Sequence, residues 1–99
     1  MIRLIEPGLS ALAARVPLRE AVLFGSCASN RHTIASDVDL LIVYRGPERD
    51  DVFDLAKQLI RVPRLEPHVY SASEAEALAD VLGRMRRGGV RLYPAEAGA

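Results

Sequence analysis

The chain has 99 residues, 49% apolar and 26% charged, with 13 basic and 13 acidic residues in formal balance. This ordinary globular composition allows one modest core and lacks the basic excess needed to hold nucleic acid by bulk charge, so no direct nucleic-acid binding is expected. The single cysteine, Cys27, excludes an internal disulfide, and no apolar run approaches the roughly 18 residues of a membrane span.

In chain order, Leu9, Leu12, Ala13 and Val16 recur at helical spacing and predict a helix over 7–16, with Pro7 in its first turn and Pro17 stopping it. Ala21 to Phe24 reads as a short strand. Polar residues from Gly25 to Ser36 predict one helical turn and a loop. Leu40 to Val43 is apolar on both faces, which predicts a central strand covered on two sides. Gly46-Pro47 marks a turn. Asp50-Asp51 then opens a second helix whose buried stripe is Phe53, Ala56, Leu59 and Ile60, ended by Pro63. Leu65 to Tyr70 is a third strand, placed at an edge because Pro67 cannot donate to a ladder. Ser73 to Arg87 reads as one helix, with Ser73 and Glu76 as a capping box and Leu78, Val81, Leu82 and Met85 as its apolar face. Gly88 suits the position just past it. Gly89 to Tyr93 is a short strand pairing back, and residues 95–99 are expected to fray behind a single domain over 1–94.

The chemistry concentrates between Leu23 and Tyr44. An apolar run enters Gly25-Ser26, ten residues follow, and Asp37-Val38-Asp39 opens the next apolar run. On a strand Asp37 and Asp39 face the same way, about 6–7 Å apart at Cα. Two such carboxylates repel unless a cation lies between them. Mg²⁺ is held by one or two carboxylates together with substrate phosphates. Gly25 allows a sharp turn and close approach of the backbone, and Ser26 adds a hydroxyl. Together these groups suit a Mg²⁺-bound triphosphate.

Gly-Ser, ten residues, then Asp-x-Asp resembles the signature of the nucleotidyltransferase superfamily that includes DNA polymerase beta, and in particular its minimal nucleotidyltransferases. The segment Ser36 to Val43 resembles that family's second strand, and the tail from Val69 through Ser73-Glu74 to Gly88–Tyr93 its C-terminal part. The element order alone reads as α/β or α+β. The resemblance implies the nucleotidyltransferase fold, an α+β domain with a small mixed sheet and helices mainly on one side.

It also implies a third carboxylate on the next strand, for which Glu66 is the match, so that Asp37, Asp39 and Glu66 are the expected catalytic and metal-binding residues, holding two Mg²⁺ ions, with Gly25 and Ser26 cradling the triphosphate of ATP. The implied activity is transfer of AMP to a hydroxyl of a partner protein. Minimal members pair with small helical HEPN-domain proteins as toxin and antitoxin in the cytoplasm, this chain being the antitoxin. Many of them continue Gly-Ser with an Arg-Ala-Arg-Gly-like run, where this chain has Cys27-Ala28-Ser29-Asn30 and its first nearby arginine is Arg31. The alternatives are a nucleotide-binding module that neutralises its partner by contact alone, and a small-molecule transferase with its acceptor pocket at a homodimer interface.

Several other groups carry less. His68 shares the Glu66 face and is a candidate for touching substrate, whereas His32 reads as a loop residue. Arg84, Arg86, Arg87 and Arg91 read as a helix-end complement and solvated face. Two histidines and one cysteine without ligand spacing argue against zinc, and no Gly-x4-Gly-Lys is present for a P-loop.

Overall fold

The computed structural model describes residues 2–25 and 37–94. In chain order the elements are α1 (Ile2–Arg15), β1 (Leu18–Phe24), β2 (Val38–Tyr44), α2 (Val52–Leu59), β3 (Leu65–Ser71), α3 (Ala72–Ala77), α4 (Ala79–Arg86) and β4 (Val90–Tyr93). The loop expected after Gly25, with Cys27, Arg31 and His32, and the tail at 95–99 lie outside the described residues.

The strands form one mixed sheet in the order β3-β2-β1-β4. β1 runs antiparallel to both β2 and β4, and β2 runs parallel to β3. Apolar on both faces, β2 therefore sits inside the sheet, and β3, with Pro67, lies at its edge, as their compositions predict. Alternation along the strands separates two cores. On one face Ala21, Leu23, Leu40, Ile42 and Leu65 meet Ile5, Leu9 and Leu12 of α1 and Val52, Ala56 and Ile60 at α2. On the other, Val22, Leu41 and Val43 meet Ala75 of α3 and Leu82 of α4. The larger core thus lies on one side, and α3 and α4 close a smaller one on the other. Each fully buried Val, Leu or Ile side chain among them stabilises the fold by about 1.5–3 kcal/mol relative to exposure. Among the described residues no helix is long and apolar enough to cross a membrane.

Four local expectations are corrected. α1 starts at Ile2, because Ile5, four residues before Leu9, already belongs to the buried stripe; Pro7 lies inside the helix and forgoes one intrahelical bond. Gly8 lets α1 cross α2 closely: a Cβ there would lie 2.4 Å from the Leu59 carbonyl oxygen. The inward stripe of α2 is Val52, Ala56 and Ile60, which turns Phe53 outward, 44% exposed. The expected helix 73–87 is two helices broken at Leu78, and Leu78 and Val81 stand 39% and 40% exposed. The capping box is Ser71 with Glu74, two residues before the expected one. Ser71 Oγ accepts from the Glu74 N–H at 3.1 Å, and Glu74 Oε1 accepts from the Ser71 N–H at 2.9 Å.

Candidate functional site

The carboxylates lie at one end of the sheet. Asp39, second residue of β2, lies opposite Phe24, the last residue of β1, on one side. On its other side it pairs with Glu66, the second residue of β3. Alternation puts Asp39, Glu66 and His68 on the face that carries α3 and α4, and Asp37 stands one step before β2. The resemblance implies a third carboxylate on the next strand, and this register sets Glu66 beside Asp39.

Gly25 closes the site from the β1 side. Its φ is +76°, in the left-handed region that glycine adopts freely. A Cβ at this position would lie 2.7 Å from Asp39 Oδ2. The bare backbone is therefore what makes room for the carboxylate. Ser26, its expected companion in the cradle, lies outside the described residues.

Each aspartate has a cationic or polar neighbour. Arg64 Nη2 lies 3.3 Å from Asp37 Oδ1, both side chains being more than half exposed. Such a solvated pair contributes little to stability. Arg64 is a non-glycine residue at φ +62°, and its carbonyl accepts from the Val38 N–H at 2.9 Å, so the turn into β3 is pinned to the start of β2. His68 Nε2 lies 3.2 Å from Asp39 Oδ1, and the His68 ring meets the edge of Phe24 with centroids 5.0 Å apart. Glu66 is exposed.

Sequence reasoning placed His68 on the right face without seeing its contact with Asp39, and it missed Arg64. The first depends on how two parallel strands are offset, the second on a left-handed backbone at an arginine. Of the arginine group near the C-terminus, Arg86 is a structural partner: its Nε donates to Glu20 Oε1 at 3.0 Å, and this hydrogen bond raises the pKa of the guanidinium above its ordinary value. A cavity of about 570 Å³ lined by Tyr44, Arg49, Phe53, Val69 and others lies elsewhere. Tyr44 is five residues along β2 from Asp39, about 17 Å at the rise of a strand.

Residues 7–85 match the model of the nucleotidyltransferase domain. The chain belongs to that family. Membership supports a transferase that moves nucleotidyl groups. The fold agrees: a candidate nucleotidyltransferase from Sulfolobus solfataricus superposes with a TM-score of 0.63 over 92% of this chain and 78% of the other, at 24% identity. At that identity the likeness speaks for the fold. No curated protein matches the chain.

Nucleotidyltransferase domains generally use divalent metal ions. Among the described residues no three His, Cys, Asp or Glu side chains are drawn together closely enough to hold one. Asp37 leans to Arg64 and Asp39 to His68. The donor set nevertheless fits a hard cation, since all three candidate ligands are carboxylates. Asp39 Oδ2 is also seated against the one residue whose missing Cβ leaves space there.

Proposed function

We propose that this nucleotidyltransferase domain transfers AMP from ATP, with Mg²⁺, to a hydroxyl of a partner protein, as the antitoxin of a pair with a small helical HEPN-domain toxin. The observation that carries the transfer chemistry is the register of β2 and β3, which sets Glu66 beside Asp39 at the Gly25 turn, within a matched nucleotidyltransferase domain. The nucleotide, the acceptor and the partner rest on the resemblance of the Gly-Ser, Asp-x-Asp pattern to the minimal members.

In this reading Asp37, Asp39 and Glu66 would hold two Mg²⁺ ions, which supply positive charge against the triphosphate and make the acceptor hydroxyl easier to ionise. Gly25 and Ser26 offer backbone and hydroxyl donors to the phosphates. Glu66, which is exposed, takes the proton of the acceptor hydroxyl. Bond formation joins that oxygen to the α-phosphorus, and pyrophosphate leaves. Most of the rate comes from holding the reactants in line and neutralising charge.

A second reading draws on the same face. With Asp37 and Asp39 engaged by Arg64 and His68, and with Cys27-Ala28-Ser29-Asn30 in place of an arginine-bearing run, the domain neutralises its partner by contact alone. Intact-mass measurement separates the two. The chain is purified with the small helical protein that accompanies it in its host and incubated with Mg²⁺ and ATP, beside an Asp39→Asn variant. AMP-sized mass gains on the partner, absent with the variant, are expected. A stable complex with no mass change under either form would replace transfer with contact.

A further inference from the structure

Asp39 is held at one oxygen and given room at the other. Oδ2 sits in space that a Cβ at Gly25 would crowd, at 2.7 Å. Oδ1 lies 3.2 Å from His68 Nε2. An ionised carboxylate only accepts hydrogen bonds, so the ring bonds it in the tautomer that carries hydrogen on Nε2. The imidazole is in turn braced by Phe24, whose ring meets it at an interplanar angle of 61°. Phe24 is the register partner of Asp39, so a single rung of the sheet supplies both the carboxylate and the brace of its donor. Left alone, a carboxylate rotates broadly about its last torsion. Here the imidazole fixes Oδ1, and the missing Cβ at Gly25 leaves Oδ2 the room that this orientation needs.

The Asp37–Arg64 contact differs in kind. There both side chains are more than half exposed, at 53% and 54%. At Asp39 and His68 the values are 29% and 35%, so water competes less for the hydrogen bond. Asp39 is thus the less exposed of the two aspartates.

We infer that His68 is a positioning residue for Asp39: its Nε2–H holds Oδ1 so that the carboxylate is set for a divalent cation before one arrives, and His68 does not itself ligate the cation. The inference rests on the reading of Asp39 as a metal-binding carboxylate. Hydrogen-bond partners of ligating carboxylates typically contribute about 10–100-fold to metal affinity. Glutamine can place an amide N–H near the reach of Nε2, whereas leucine fills the space without a donor.

The test is Mn²⁺ binding to the full chain, followed by the electron paramagnetic resonance of the free ion, for wild type, His68→Leu, His68→Gln and Asp39→Asn. His68→Leu is expected to bind about 10–100-fold more weakly, and His68→Gln to recover most of that loss, with far-ultraviolet circular dichroism unchanged. Nitrogen NMR of the metal-free wild type is expected to show Nε2 protonated at neutral pH. Wild-type affinity in His68→Leu would overturn the positioning role and leave the transferase reading intact. Binding by wild type no tighter than by Asp39→Asn would overturn the transferase reading and this inference with it. Direct ¹⁴N coupling from His68 to bound Mn²⁺ would overturn it by making the histidine a ligand. Should the leucine variant fail to fold, the wild-type imidazole decides: an unprotonated Nε2 overturns the proposal.

Discussion

Gly25 and Gly88 share a backbone conformation and differ in what stands beside them. Their φ angles are +76° and +75°. A Cβ at Gly25 would meet Asp39 Oδ2 at 2.7 Å, whereas one at Gly88 would meet nothing within 4 Å. Alanine at either position must hold a left-handed backbone at a cost of about 1–2 kcal/mol. Both variants are therefore expected to lose about that much in urea unfolding. The contact at Gly25 adds little to this cost, because the obstacle is the end of a side chain that can swing aside. In doing so, the oxygen retreats from 2.7 Å to the 3.4 Å where ordinary contact begins, a shift of about 0.7 Å. A misplacement of about 1 Å in an active site can cost about 10²-fold in rate. Gly25→Ala is thus expected to slow nucleotidyl transfer by about 10–100-fold, while Gly88→Ala keeps wild-type turnover. The assay is pyrophosphate release by the chain with the acceptor protein proposed above, under saturating Mg²⁺ and ATP. Wild-type turnover in Gly25→Ala, or an equal loss in Gly88→Ala, would refute the claim that Gly25 is there to seat Asp39.

Three further outcomes follow from local geometry. Gly8→Ala sets a Cβ 2.4 Å from the Leu59 carbonyl and 2.6 Å from Ile60 Cα, both backbone, so α1 must lift from α2 and urea unfolding should show a loss of about 1–3 kcal/mol. Ser71→Ala removes half of the capping box and should lower stability by about 1 kcal/mol in the same assay; an unchanged midpoint would count against the cap. Arg49 donates to Asp51 from Nε and Nη2, each at 2.7 Å, and holds its carboxyl below the ordinary 3.8. A carboxyl depressed on folding binds fewer protons in the folded chain, so its contribution is complete above 3.8 and is lost as pH falls through the lower folded value. Wild type should therefore lose stability relative to Asp51→Asn in that acid window, and parallel stability curves for the two would contradict the pair.

Some of this architecture is legible in single residues. The unbroken apolar run Leu40 to Val43 can only be an interior strand, and Pro67 can only sit where a missing N–H does no harm. The period of a strand predicts one face for Asp37 and Asp39, but β2 begins at Val38, so only Asp39 is a strand residue. Other features need the tertiary structure. Ser71 and Ser73 each begin a Ser-x-x-Glu pattern, and Ser71 is the cap because β3 ends on it with extended backbone, φ −72° and ψ 162°. Phe53 looks like a core residue on a helical wheel, but the helix is rolled so that Val52 points inward. The break at Leu78 moves Val81 out of the stripe that a continuous helix would bury. The His68–Asp39 and Arg64–Asp37 contacts join strands far apart in sequence, so neither composition nor spacing announces them.

The central claim is that the Asp37, Asp39 and Glu66 face catalyses transfer of the α-phosphoryl end of a nucleotide. The most direct measurement compares ATP labelled at the α-phosphorus with ATP labelled at the γ-phosphorus, each incubated with Mg²⁺, the chain and the proposed partner. Label from the α position should appear on the partner with wild type and vanish with Asp39→Asn, while label from the γ position should leave with pyrophosphate. Transfer of the γ label, or α label that persists undiminished in Asp39→Asn, would contradict the account.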